Sequence, residues 1–168
     1  MKLSLLKYRT NALLRRNKTS RTNASYKHAQ TIGIIFSVED KMKHDAVKEL
    51  VKKLEADGKK VKVMEFLPQN RDNYEFLYDF FTEKDLSFLG KLNSTNALAF
   101  ADTPFDFLYY IDNEPNPYVL HLLARSKAKC RVGKFWDDGQ SFFELMIESV
   151  SGTRSLIDGM YKYTSVLK

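Results

Sequence analysis

An α/β fold of three layers is predicted, with helices on both faces of a mostly parallel sheet and a basic, partly helical arm in front. Three observations predict it. Short β-branched or aromatic runs alternate with helix-period segments from residue 31 to residue 168. One β-α-β unit, over residues 31–66, is complete in pattern and punctuation. Charge is segregated: residues 1–30 hold eight Lys/Arg and no Asp or Glu, whereas the remainder holds 19 basic and 21 acidic residues. The division that follows is an arm, residues 1–30, and a single α/β domain, residues 31–168.

"TIGIIFS" (Thr31–Ser37) reads as a strand buried on both faces. Ser37 and Asp40 form an S-x-x-D capping signature for the helix that follows. Met42, Ala46, Val47, Leu50, Val51 and Leu54 recur at helical spacing, and Gly58 is the natural stop. "KVKVMEF" (Lys60–Phe66) alternates with period two. Pro68–Asp72 is a polar break, and "YEFLYDFF" (Tyr74–Phe81) reads as a strand. "TEKDLSFLGKLNS" is a short helical turn ending near Gly90. "FDFLYYID" (Phe105–Asp112) is a buried strand, and Pro117 opens a helix through Tyr118, Leu120, Leu123 and Ala124. "AKCRVGKF" and "FFELMIES" (Phe142–Ser149) are strands, and Thr153–Leu167 is a closing amphipathic helix.

A chain of 168 residues suits one domain with a sizeable core, and 12 Phe with 9 Tyr support an ordered interior. No apolar run reaches the roughly 18 residues a membrane span needs. Lys7 and Arg9 interrupt the leucines before a secretory apolar region forms. One cysteine, Cys130, leaves no internal disulfide, so a reducing, cytoplasmic setting is expected, with peripheral attachment at the inner membrane face as the alternative.

Candidate chemistry is sparse. In a doubly wound sheet ligands gather at the C-terminal strand ends. Those ends carry Glu39, Asp40, Asp112, Glu114, Asp137 and Asp138, which could hold Mg²⁺ or form an acid pair, although turn and capping preferences explain the same residues. No Gly-rich phosphate loop is present, and no cofactor is expected. His28, His44 and His121 lack metal-ligand spacing to one another or to Cys130, so no metal site is expected.

"FFTEKDLSFLG", "FDFLYYIDNEPN", "RSKAKCRVGKF" and the terminal "FELMIES", in this order and spacing, resemble a small uncharacterised bacterial family of domains of unknown function. That resemblance covers residues 31–168 and implies an α/β fold, with no activity and no site residue to transfer. The pair "FDFLYYID" and "ARSKAKCRVGKF" is also similar to the acceptor half of heptosyltransferase-like glycosyltransferases, which implies such a half without its sugar-nucleotide partner.

The arm carries the functional expectation: a non-catalytic accessory protein attached to RNA or to a ribonucleoprotein such as the ribosome. Lys2, Lys7, Arg9, Arg15, Arg16, Lys18, Arg21 and Lys27 would neutralise phosphates, with Asn11, Asn17, Thr19, Ser20, Thr22, Asn23 and Ser25 hydrogen-bonding phosphate and sugar. Tyr8 or Tyr26 could stack on a base. Alternatively Leu3, Leu6, Leu13 and Leu14, within about a 100° arc, form a docking face for an anionic membrane surface or a membrane protein complex, for another protein groove, or for the domain itself. An acid-free start also resembles a transit peptide, and an enzyme with an acidic site at the strand ends is the third alternative.

Overall fold

The computed structural model describes residues 1–22, 25–148 and 152–168. The β-α-β unit is present as read: β1 (Thr31–Ser37), α2 (Lys41–Ala56) and β2 (Lys60–Phe66), paired in parallel from Thr31↔Lys60 to Ser37↔Phe66. Gly58 takes the left-handed conformation (φ +82°) that ends α2. The cap differs from the expected one. Asp40 rather than Ser37 caps α2, its Oδ1 accepting from the Lys43 amide at 2.8 Å.

Tyr74–Phe81 is not one strand. Residues Tyr74–Phe76 form a 3₁₀ turn in which Glu75 and Phe76 have φ of 60° and 45°, and only Asp79–Phe81 extends, as β3 beside β2. Left-handed backbone cannot continue a ladder, so the strand starts late. A second 3₁₀ turn, Glu83–Asp85, is closed by a Thr82/Asp85 capping box. Helix α3 (Thr95–Asp102), capped by Ser94, follows. Its buried residues are Ala97, Phe100 and Ala101, too few over eight residues to show a clear helical period.

Strand β4 (Phe107–Tyr110) is shorter than Phe105–Asp112, because both flanking aspartates are turned to polar work. Asp106 accepts the Gln30 and Thr31 amides at 2.8 and 3.0 Å, and Asp112 accepts the Ser37 amide at 2.9 Å. Asn116 caps α4 (Pro117–Arg125), with Pro117 in its first turn. Strand β5 is Cys130–Lys134. The expected strand Phe142–Ser149 contracts to β6 (Leu145–Ile147), and Ser149 lies outside the described residues. Ahead of β6, the Glu144 carboxylate holds the Arg131 amide and guanidinium at 2.7–3.0 Å. Helix α5 (Gly152–Ser165) closes the chain.

Among the described residues six strands form one all-parallel sheet in the order β3-β2-β1-β4-β5-β6. The chain therefore steps outward from β1 in one direction, returns, and steps outward in the other. Helices α2 and α5 cover one face over Ile32, Ile34, Phe36, Phe107 and Tyr109. Helices α3 and α4 cover the other, over Ile35, Met64, Phe66, Leu108 and Tyr110.

Helix α1 (Lys2–Arg16) lies along α4 and the turn after Glu83–Asp85. Leu6 is 1% exposed, and Leu13 and Leu14 pack against the α3/α4 core. Gly90 (φ +72°) makes the approach possible, because a Cβ there would meet the Leu5 and Leu6 backbone at 3.0 Å. Beyond α1, the Thr22 amide bonds the Lys129 carbonyl and buried Tyr26 joins the α2/α5 core. The ammonium of buried Lys59 holds the Tyr26 and Ala29 carbonyls at 2.5 and 2.7 Å.

One core-facing group on β2 is ionisable: Glu65 is 1% exposed, and burial pushes its carboxyl up to about 7.

Two outcomes are expected. Leu6→Ala should cost about 3 kcal/mol in chemical unfolding, whereas Leu3→Ala, at a half-exposed position, should stay within about 0.5 kcal/mol. The carboxyl of Glu65 titrates higher folded than unfolded, so the folded state binds the proton more tightly. Its contribution is full below the ordinary value near 4.5 and falls away as pH rises through about 7. Urea midpoints between pH 5 and 8.5 should therefore decline in the wild type and flatten in Glu65→Gln; equal slopes would refute this.

Candidate nucleic-acid interface

The basic residues of the first thirty separate into two groups according to what they touch. Three are tied to the domain. Lys2 Nζ donates to the Leu86 carbonyl at 3.3 Å and Arg9 Nε to the Leu89 carbonyl at 3.0 Å. Arg21 donates to the Ala128 carbonyl and lies 3.8 Å from Glu144; burial and nearby Arg131 bring its guanidinium down to about 10. Lys7, Arg15, Arg16, Lys18 and Lys27 are exposed. Asn17 is spent on structure: its amide donates to the Ala124 and Ser126 carbonyls at 3.0 and 2.9 Å, closing the C-terminal end of α4. Asn23 lies outside the described residues. The leucine face has its partner in the domain, with Leu6, Leu13 and Leu14 turned inward and Leu3 half-exposed.

Between the outer side of α1 and the 89–92 segment runs a groove of about 500 Å³, lined by Tyr8, Arg9, Ala12, Arg16, Lys91 and His121, with Leu5, Leu13, Leu89 and Leu92. Three cations line it and no carboxylate does. Lys91 was missing from the sequence expectation because it comes from a turn eighty residues away. Tyr8 is 69% exposed and offers a ring face beside the cations.

His121 gives the groove a defined polarity. The Thr10 hydroxyl donates its only proton to the Leu6 carbonyl at 2.9 Å, so its oxygen accepts at the 2.9 Å contact with His121 Nδ1. The ring therefore carries its proton on Nδ1 and leaves Nε2 as an acceptor. Burial and the cations Arg125 and Arg9 bring the imidazole down to about 4, which keeps it neutral at physiological pH. Thr10, buried between the leucines of α1, is what fixes this tautomer.

The acidic strand ends converge only in part. Glu39, Asp112 and Glu114 share a shallow crevice of about 480 Å³ at the β1/β4 switch point, with Lys43 and Arg71. Asp112 is spent within it. Its carboxylate accepts from Lys43 Nζ at 2.6 Å and from the Ser37 hydroxyl at 2.7 Å, while Asn116 donates to that hydroxyl at 2.9 Å. Asp40 caps α2, and Asp138 sits elsewhere, in a cleft beside α1 with Leu3, Lys7, Leu14 and Trp136. Asp137 is exposed. Cys130 is buried, and burial pushes its thiol up to about 12, so it is an inert core group. Among the described residues no helix is long and apolar enough to cross a membrane.

The chain matches, over residues 2–167, a family described as a family of unknown function (DUF6913), and belongs to it. No curated protein and no solved structure matches the chain.

Proposed function

We propose that this family member is a non-catalytic accessory protein that attaches to RNA, alone or within a ribonucleoprotein, through the outer face of α1 and the groove beside it. The observation that carries the reading is the groove's lining: Arg9, Arg16 and Lys91 around an opening with no carboxylate, next to exposed Tyr8. Phosphates suit the cations, and a base suits the tyrosine ring. The unprotonated Nε2 of His121 suits a donor, such as a ribose 2′-hydroxyl or an exocyclic amine. Arg15 and Lys18 extend the positive surface along the same end of the helix. The seating of α1 gives the cations a fixed spacing and lowers the ordering cost of binding.

The test is binding of single-stranded RNA of mixed sequence to the full chain, read as the slope of log affinity against log salt. Replacing Arg15, Arg16, Lys18 and Lys91 with Ser should reduce the slope by about 3, near 0.7 for each lost phosphate contact, with the melting temperature unchanged. An unchanged slope, or binding to anionic vesicles with none to RNA, would overturn the reading.

A further inference from the structure

We propose that His44, Asp45 and Glu75 form a binding site for a divalent transition-metal cation of the zinc class, at the edge of the sheet near β3. One ligand-capable atom from each of the three lies within 4.8 Å of the others. Two carboxylates near a histidine are not in themselves a site; the state of the histidine makes them one. His44 is 2% exposed, yet neither ring nitrogen has a hydrogen-bond partner. Buried polar atoms are nearly always satisfied. Among the described residues six buried side-chain atoms are unpartnered, and five of them belong to His44, Glu65 and Asn73. These residues come from three separate segments, and the rings of Tyr74 and Tyr78 lie 5.6 and 5.9 Å from the imidazole.

The separation of His44 and Glu75 fits a cation better than a proton. His44 Nε2 is 3.6 Å from Glu75 Oε2, too long for a hydrogen bond. Two ligands, each about 2.0–2.2 Å from a tetrahedral cation, are about 3.4 Å apart. On the opposite side Nδ1 faces Glu65 Oε1 at 3.8 Å. Metal-bound imidazoles commonly give their second N–H to a carboxylate. Glu65, a few tenths of an ångström beyond hydrogen-bond distance, is the carboxylate that would take that positioning role once a cation draws the ring into place. An imidazole among carboxylates selects zinc-class ions over Mg²⁺ and Ca²⁺.

The backbone supports the same assignment. Glu75 is held over His44 with φ +60° and Phe76 follows at +45°, conformations unfavourable for residues with side chains. The two carboxylates already carry countercharge: Lys41 Nζ is 3.0 Å from Asp45, and Lys48 Nζ reaches both Glu75 oxygens at 3.0 and 2.8 Å. A divalent cation would take the place of both ammonium groups. Glu75 is 46% exposed and Asp45 44%, so remaining coordination positions face solvent.

The full chain, stripped with chelator, should bind one equivalent of Co²⁺ or Zn²⁺ in calorimetry, with Mg²⁺ at least about a hundred-fold weaker. Co²⁺ should give a visible absorption band. Glu75→Gln and Asp45→Asn, whose side chains are about half exposed, should each weaken binding about ten-fold or more with the melting temperature of the metal-free protein unchanged. Glu65→Gln should weaken it by about 10–100-fold while keeping the band. Lys48→Ala, which removes a competitor, should tighten it. Co²⁺ binding that is absent, or equal in wild type and Glu75→Gln, or weakened by Lys48→Ala, would overturn the proposal.

Discussion

The carboxylate of Asp112 is the constraint on which the upper rim of the sheet depends. It leaves β4 at the point where the strand order reverses. There it receives the Ser37 amide and hydroxyl from the end of β1 and the Lys43 ammonium from α2. Asn116 binds the same Ser37 hydroxyl while its own oxygen caps α4. Two strands and one helix on each face are thus indexed to one buried group. Lys43 and Asp112 are about 5% exposed, so each carries a desolvation penalty that the other offsets, helped by the Ser37 donors on Asp112 and by Glu39 at 3.5 Å from Lys43. The arrangement fixes relative position more than it adds stability. It also means that, in the crevice where other doubly wound sheets receive a ligand, the Asp112 carboxylate is already engaged by Ser37 and Lys43.

The first helix obeys a different economy. Lys7, Arg15 and Arg16 look outward because its leucines are committed inward, against α4 and across Gly90. One seam therefore joins three functions of sequence: Leu6 supplies burial, Thr10 sets the His121 tautomer and Asn17 finishes α4. A surface of positive charge gains shape from this, since Arg9 and Arg16 stand at set positions relative to Lys91 on a separate turn.

Where a single short range of residues sets the outcome, the sequence was readable. The β-α-β unit, the Gly58 stop, the Pro117 helix start and the parallel sheet follow from period, punctuation and crossover geometry. Strand lengths were not readable in the same way. Asp106, Asp112 and Glu144 end or delay strands by bonding amides far away in sequence, and Glu75 and Phe76 adopt left-handed backbone that neither residue type advertises. The short helix α3 gave little signal because it is only eight residues long and its buried face holds one large apolar residue, Phe100, between two alanines. The groove was half legible: its arginines stood out in an acid-free stretch, whereas Lys91 and His121 join it only through folding. The His44 cluster gave no signal at all, since His44 and Asp45 are separated from Glu75 by thirty positions and no spacing rule links them.

The cleft on the other flank of α1 contains the chain's single tryptophan. Trp136 lies there with Leu3, Lys7 and Leu14, its indole stacked on Phe142 at 5.7 Å between centroids. Lifting the first helix would expose that indole to water, and seating it again would dry it. The emission colour of one native fluorophore is therefore an optical record of whether the N-terminal segment is docked, with no label added and no competing tryptophan signal.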